Sequence, residues 1–262
     1  MPVGRSLHIG INRYSSAFPN APVLTGPENS ARAMRELAHG RGYLTELILG
    51  SDVTYARVTA ALLAAADVSQ PGDIFLFTFS GHGAGEFDSD SDEPDIQDEA
   101  LLLFDALLLD DDLRLSIWPK FRRGVRVLIV ADSCHSGTVA TVPNSPAPEA
   151  ERAQVMEIPI ETRQQHFRQY GRFYRKLAVP LLASIEASVL LLAACGDFET
   201  TLDGNPLTMF TAAMLRVVNE QGPTDYRDLI AKIDALVGPQ TPVLTPVPPP
   251  DQAFIAQRPF TI

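Results

Sequence analysis

A chain of 262 residues with 45% hydrophobic content can bury one α/β core of upper-middle size, while a formal charge of −11 removes the attraction to phosphate on which nucleic-acid binding depends. Its two cysteines, Cys134 and Cys195, are too few and too far apart for a disulfide framework and suit a reducing compartment. The opening MPVGRSLHIGINRY holds no apolar stretch of the secretory kind, and the longest apolar run, 187–195, is about half a membrane span, so a cytoplasmic protein with no membrane or nucleic-acid partner is expected.

In chain order, four runs rich in Val, Ile, Leu and Phe (7–11, 44–49, 74–79 and 125–131) have the continuous apolar character of strands buried on both faces. Between them, helical spacing covers 28–38, with Asn29 as a cap, and 55–66, started by Asp52 or Thr54; a further helix is predicted over 111–121. Residues 142–175 lack apolar periodicity and read as a linker or excursion. Order resumes with a strand at 188–194 and helices near 207–220 and 226–236. The proline-rich tail then allows an extended wrap with one edge strand. Strands alternating with helices imply a mostly parallel sheet wound by crossovers.

Two segments carry chemistry, FLFTFSGHGAG at 75–85 and VLIVADSCHSG at 127–137. Each is a hydrophobic strand ending in a small, glycine-flanked turn. Ligands of open parallel sheets collect at the carboxyl ends of strands, so His82 and Cys134 would share one cleft if those strands are neighbours. A thiolate attacks carbonyl carbon well, and histidine is the side chain best tuned to supply the proton a departing amine needs. The flanking glycines let a substrate backbone approach and leave N–H groups for an oxyanion; the amides of Gly83 and Cys134 are assigned to that hole. His135 points away from its neighbour, and His8, His39, His166 and Cys195 have no motif around them and read as structural. GHGAG lacks the third glycine and the acidic partner of a dinucleotide loop.

SGHG after one strand, DSCHSG after another, and a histidine 52 positions upstream of the cysteine resemble the caspase-like peptidases of the metacaspase and prokaryotic orthocaspase type. GIN-x-Y at 10–14, DEAL at 98–101, the acidic run at 110–113, the stretch 194–211 and QTP at 240–242 extend the resemblance over most of the chain. It implies a caspase-like fold in which helices sandwich a mostly parallel sheet. One peptidase domain would comprise a large-subunit-like part (1–141), a linker (142–176) and a small-subunit-like part (177–262). It also implies a monomeric cysteine endopeptidase acting on protein or peptide substrates after Arg or Lys, with Ser80 and Asp132 at pocket-forming positions. Self-cleavage would fall at the linker's Arg152, Arg163, Arg168, Arg172, Arg175 or Lys176.

One departure concerns the pocket: where metacaspases read G-C-x-N-D, this chain reads Gly26-Pro27-Glu28-Asn29-Ser30, so an acid is replaced by Ser30. The acidic stretch 86–99 is either a solvated loop or a source of hard oxygen ligands. Resemblance to calcium-activated metacaspases implies a calcium site at Asp98, Asp110 and Asp111, with Glu99 beside them. The family's further aspartate falls on Thr141. Both readings of the stretch stay open. So do two rivals to the peptidase reading, a catalytically silent caspase-like scaffold and a related cysteine peptidase with acidic or asparaginyl preference.

Overall fold

The computed structural model describes residues 1–87, 97–110, 112–133, 185–194, 203–238, 240–247 and 250–262, the side chains of 84–87 and 97–99 excepted. Along the chain the elements are β1 (Gly4–Gly10), α1 (Pro27–Gly40), β2 (Leu44–Leu49), α2 (Tyr55–Val68), β3 (Ile74–Ser80), β4 (Gly83–Phe87), β5 (Gln97–Leu102), β6 (Leu107–Leu109), β7 (Arg126–Asp132), β8 (Ser188–Ala193), α3 (Met209–Arg216), α4 (Tyr226–Val237), β9 (Val243–Pro246) and α5 (Gln252–Ile255). The main sheet runs β2-β1-β3-β7-β8-β9, parallel except for β9, which lies antiparallel along β8 as the edge strand expected of the proline-rich tail. The fold is the α/β sandwich with a mostly parallel sheet that the strand and helix alternation implies.

Alternation along the central strands divides the core. Phe75, Phe77, Phe79, Val127 and Ile129 face the layer of α2 and Trp118, whereas Leu76, Leu128, Val130, Leu190 and Leu192 face α1, α3 and α4. Burying each large apolar side chain on these faces contributes about 1.5–3 kcal/mol, which outweighs the modest β-propensity differences among them. His8, inside β1, is fully buried; its ring nitrogens meet the hydroxyls of Thr78 (2.9 Å) and Ser6 (2.8 Å). Burial, with the Arg35 charge second, pushes its pKa down to about 3, so it is a neutral core residue, as its lack of a surrounding motif implied.

Three local readings need correction. The helix predicted over 111–121 is a wide, π-type turn at 112–117 followed by one tight turn at 118–120; Pro119 cannot supply a helical N–H, and Leu113, Ile117, Trp118 and Phe121 are spent on the core. Residues 83–87 are not simply a turn but β4, which pairs with β5 and, through it, with β6 in a small antiparallel sheet. Finally, α1 starts at Pro27 after Gly26, and Asn29 is not its cap. The Glu28 N–H is met instead by Asn12 Oδ1 at 3.1 Å, a side chain delivered from the end of β1. Thr54 does cap α2, accepting from the Arg57 N–H.

Candidate active site

The site begins with a register. In the parallel pair of β3 and β7, Ser80 stands opposite Asp132, and just beyond them the Gly81 N–H donates to the Asp132 carbonyl at 3.3 Å. His82 follows the last residue of β3 by two positions, as Cys134 follows the last residue of β7 in the sequence, and the two strands end side by side on one sheet rim. Cys134 itself, with His135 and Cys195, lies outside the described residues; the chain is described up to buried Ser133.

His82 is half-buried and held on three sides. Its N–H donates to the Tyr14 hydroxyl at 2.7 Å, the two rings lie 5.4 Å apart at 36°, and its Nε2 is 2.9 Å from the Pro22 carbonyl oxygen. A carbonyl oxygen can only accept, so Nε2 carries the proton and Nδ1 of the neutral ring is left as the base. Burial lowers the ring's pKa, while the Pro22 hydrogen bond and the Asp203 charge act in the opposite direction. Gly81 is required here by close approach: a Cβ would sit 2.7 Å from Ile11 Cγ2, 3.0 Å from the Tyr14 hydroxyl and 3.1 Å from the Phe79 ring.

The glycine after the histidine has a different role. Gly83 pairs with Leu101, while the ladder bond next to that pair runs from the Leu102 N–H to the His82 carbonyl at 2.9 Å. That pattern marks 83 and 101 as a non-hydrogen-bonded pair, which leaves the Gly83 N–H outside the ladder. It is one of the two amides expected to stabilise an oxyanion.

Asp132 ends β7 at 2% exposure. One of its oxygens, Oδ2, accepts from the hydroxyls of Thr208 and, at 2.5 Å, Thr211, both carried by the start of α3. Burial pushes its pKa up to about 6, against the hydroxyls of Thr208, Thr211 and Ser80, which favour the anion. A small cavity of about 10 Å³, the space of roughly one water, lies among Ser30, Ser80, Asp132 and Thr211. The structure thus brings together the two pocket positions, Ser80 and Asp132, with Ser30, the serine that replaces an acid.

Asp203 ties this region to α1. Its carboxylate accepts from the N–H groups of Thr25 (2.8 Å) and Gly26 (2.9 Å) and from the Thr25 hydroxyl (2.9 Å). Burial works against its charge, but these donors outweigh it and hold the carboxyl below the usual range. A Cβ on Gly26 would meet the Gly204 carbonyl oxygen at 2.6 Å, so the 203–208 segment packs directly on the entry to α1.

Tyr14, Pro22, Asp203, Thr208 and Thr211 carry no role in the sequence reading. Tyr14 was legible as part of GIN-x-Y and Thr208 and Thr211 lay within the recognised stretch 194–211, but hydroxyls have no pattern that names their partner. For the acidic residues, β4 and β5 place Glu86 opposite Asp98 and Gly85 opposite Glu99, and Asp110 follows the last residue of β6. Asp111 and the linker 142–176, with its six basic residues, lie outside the described residues. Among the described residues no group of three metal-ligating side chains converges, and no helix is long and apolar enough to cross a membrane.

Comparison with known proteins agrees with this geometry. The caspase domain, the Peptidase_C14 family, matches residues 3–254. Metacaspase-1B of Aspergillus fumigatus is 34% identical over 153 residues, which are 53% of this chain and 36% of that protein. Metacaspase-2 of Arabidopsis thaliana is 40% identical over 78 residues, 28% of this chain and 19% of that one. The chain therefore spans well under half the length of these curated relatives. The crystal structure of protein GSU0716 from Geobacter sulfurreducens aligns over 100% of this chain and 99% of its own, with a TM-score of 0.84 and 33% identity.

Proposed function

Because this chain belongs to the caspase-domain peptidases, and within them to the metacaspase type, we propose that it is a cysteine endopeptidase that cleaves after Arg or Lys. The observation that carries this reading is the Ser80↔Asp132 register, which puts the end of the strand that leads into His82 beside the end of the strand that leads into Cys134. The Cys134 thiol passes its proton to His82 Nδ1, and the sulfur attacks the carbonyl carbon. The N–H groups of Gly83 and Cys134 receive the oxyanion. As the C–N bond breaks, His82 returns the proton to the departing amine; water then hydrolyses the thioester to a carboxylic acid and the free thiol. Asp132 supplies the negative charge that selects a basic side chain before the cleaved bond, with Ser80 beside it. The basic residues between Arg152 and Lys176 are a first substrate in the chain itself.

Calcium belongs to the same proposal. The candidate donors are all carboxylate oxygens, which suit a hard cation, and two of them, Asp98 and Glu99, stand on β5 next to Glu86 of β4 in the register. Asp98, Glu99, Asp110 and Asp111 would hold it; the ion would neutralise their mutual repulsion and so steady the segment that follows His82.

The experiment is hydrolysis of a peptide library by the purified protein, with calcium and with excess chelator, alongside Cys134→Ala. Cleavage after Arg and Lys that vanishes in the variant is expected. A profile dominated by Asp or Asn overturns the pocket assignment, and equal rates in chelator and calcium overturn the metal assignment. Mass spectrometry of the stored protein places self-cleavage between Arg152 and Lys176; cuts that persist in Cys134→Ala assign them to another peptidase.

A further inference from the structure

The partners of Asp132 form a directed chain. Thr208 lends its hydroxyl proton to the carboxylate, so its own oxygen must accept from the Ser30 hydroxyl at 2.9 Å, and Ser30 Oγ in turn accepts from the Thr208 N–H at 3.1 Å. Every donor in this relay is committed toward Asp132 Oδ2, which the Thr211 hydroxyl also meets at 2.5 Å. A carboxylate oxygen offers about two lone-pair sites, so Oδ2 is fully taken. The other oxygen is different: among the described residues Oδ1 has no hydrogen-bond partner, although the Ser80 hydroxyl and the Thr211 N–H lie close enough to the carboxylate to favour the anion.

We infer that Thr208 is a specificity-determining residue, which by occupying one oxygen of Asp132 leaves a one-oxygen receptor for the basic side chain and so lets the pocket take lysine about as well as arginine. The inference rests on Asp132 being the floor of a basic-residue pocket. An arginine guanidinium binds a carboxylate best as a fork, with two parallel N–H···O bonds, one to each oxygen. Here the second prong meets an oxygen already saturated by two hydroxyls. A lysine ammonium is a point charge that needs only one carboxylate oxygen and finds a second acceptor in Ser80 Oγ. Ser30 is what makes this arrangement available: being neutral, it aims the Thr208 hydroxyl without adding a second negative charge to the cavity.

The test compares kcat/KM for two peptides that differ only in Arg or Lys before the cleaved bond. The wild-type ratio is expected to lie within about tenfold, the worth of one modest charge-assisted hydrogen bond. Thr208→Val keeps the shape but removes the hydroxyl, and shifts the ratio toward Arg by about tenfold or more, mainly through KM. Thr208→Ser restores the wild-type ratio, and Ser30→Ala moves it in the same direction as Thr208→Val by less. A purely structural role for Thr208 would instead lower both rates together. The inference is overturned if wild type favours Arg by more than about a hundredfold, or if a folded Thr208→Val leaves the ratio unchanged. Should Thr208→Val not fold, the wild-type ratio and Ser30→Ala decide. An enzyme that prefers Asp, Asn or an uncharged residue to both peptides overturns the basic-pocket reading itself, whereas an Arg-dominated profile overturns the role of Thr208 alone.

Discussion

The middle of β1 and the rim of β7 each bury one titratable side chain in the same sheet, and they use it in opposite ways. His8 is sealed between Ser6 and Thr78, with both ring nitrogens met, and is neutral. Asp132 is as deeply buried, yet among the described residues hydrogen bonds reach only one of its oxygens, and the residue lines a small cavity at the end of the strand. A buried polar group whose hydrogen bonds are complete stabilises a fold; one left partly unmet at a strand's carboxyl end is poised to receive something. Burial alone does not separate the two cases.

The largest effects should fall on the rim. His82→Ala and Cys134→Ala are each expected to lower peptide hydrolysis by at least about a thousandfold with an unchanged melting temperature, because they remove chemistry and little packing. Retention of more than about a tenth of the rate in either variant would move the chemistry elsewhere. Asp132→Asn comes next: it keeps shape but not charge, and should cost basic substrates about a hundredfold in kcat/KM while sparing neutral ones. An equal loss on both would make Asp132 as structural as His8.

The interior should show the reverse. His8→Leu leaves the Ser6 and Thr78 hydroxyls without their partner and is expected to cost about 1–3 kcal/mol in chemical denaturation, with kcat per folded molecule unchanged. A loss of kcat in the folded variant would break the contrast from the other side.

Acid separates the two groups by sign. His8 is held near 3 in the fold against a usual 6.5, so the unfolded chain binds the proton first and stability is lost as pH falls from 6.5 toward 3. Asp132 is held near 6 against a usual 3.8, so the fold keeps its proton longer; that contribution is full below 3.8 and is lost as pH rises through about 6. In catalysis, KM for a basic peptide should rise as pH falls through about 6, and Asp132→Asn should abolish that step. A step that survives in the variant belongs to another group. The smallest effect is expected from Tyr14→Phe, which deletes the acceptor of the His82 N–H and should lower kcat about three- to tenfold without moving KM. A shift in KM instead would place Tyr14 against the substrate.

Much of the molecule is determined by the sequence alone, because its signals are local. Apolar runs mark the five parallel strands, helical spacing marks α1, α2, α3 and α4, and the glycine-flanked endings of β3 and β7 mark His82 and Cys134. Where local signals mislead, packing has overridden them: β4 and β5 are rich in glycine and acids, and they are strands only because they pair with each other and with β6. The tertiary structure alone decided that β3 lies beside β7, that Tyr14 and the Pro22 carbonyl close on His82, and that hydroxyls 76 and 79 positions away in the chain meet Asp132. A hydroxyl or a carbonyl carries no sequence period that names its partner. Such partners become defined only when the crossovers set their strands and helices side by side, and it is those partners that separate a buried group whose hydrogen bonds are complete, His8, from one with an oxygen left over, Asp132.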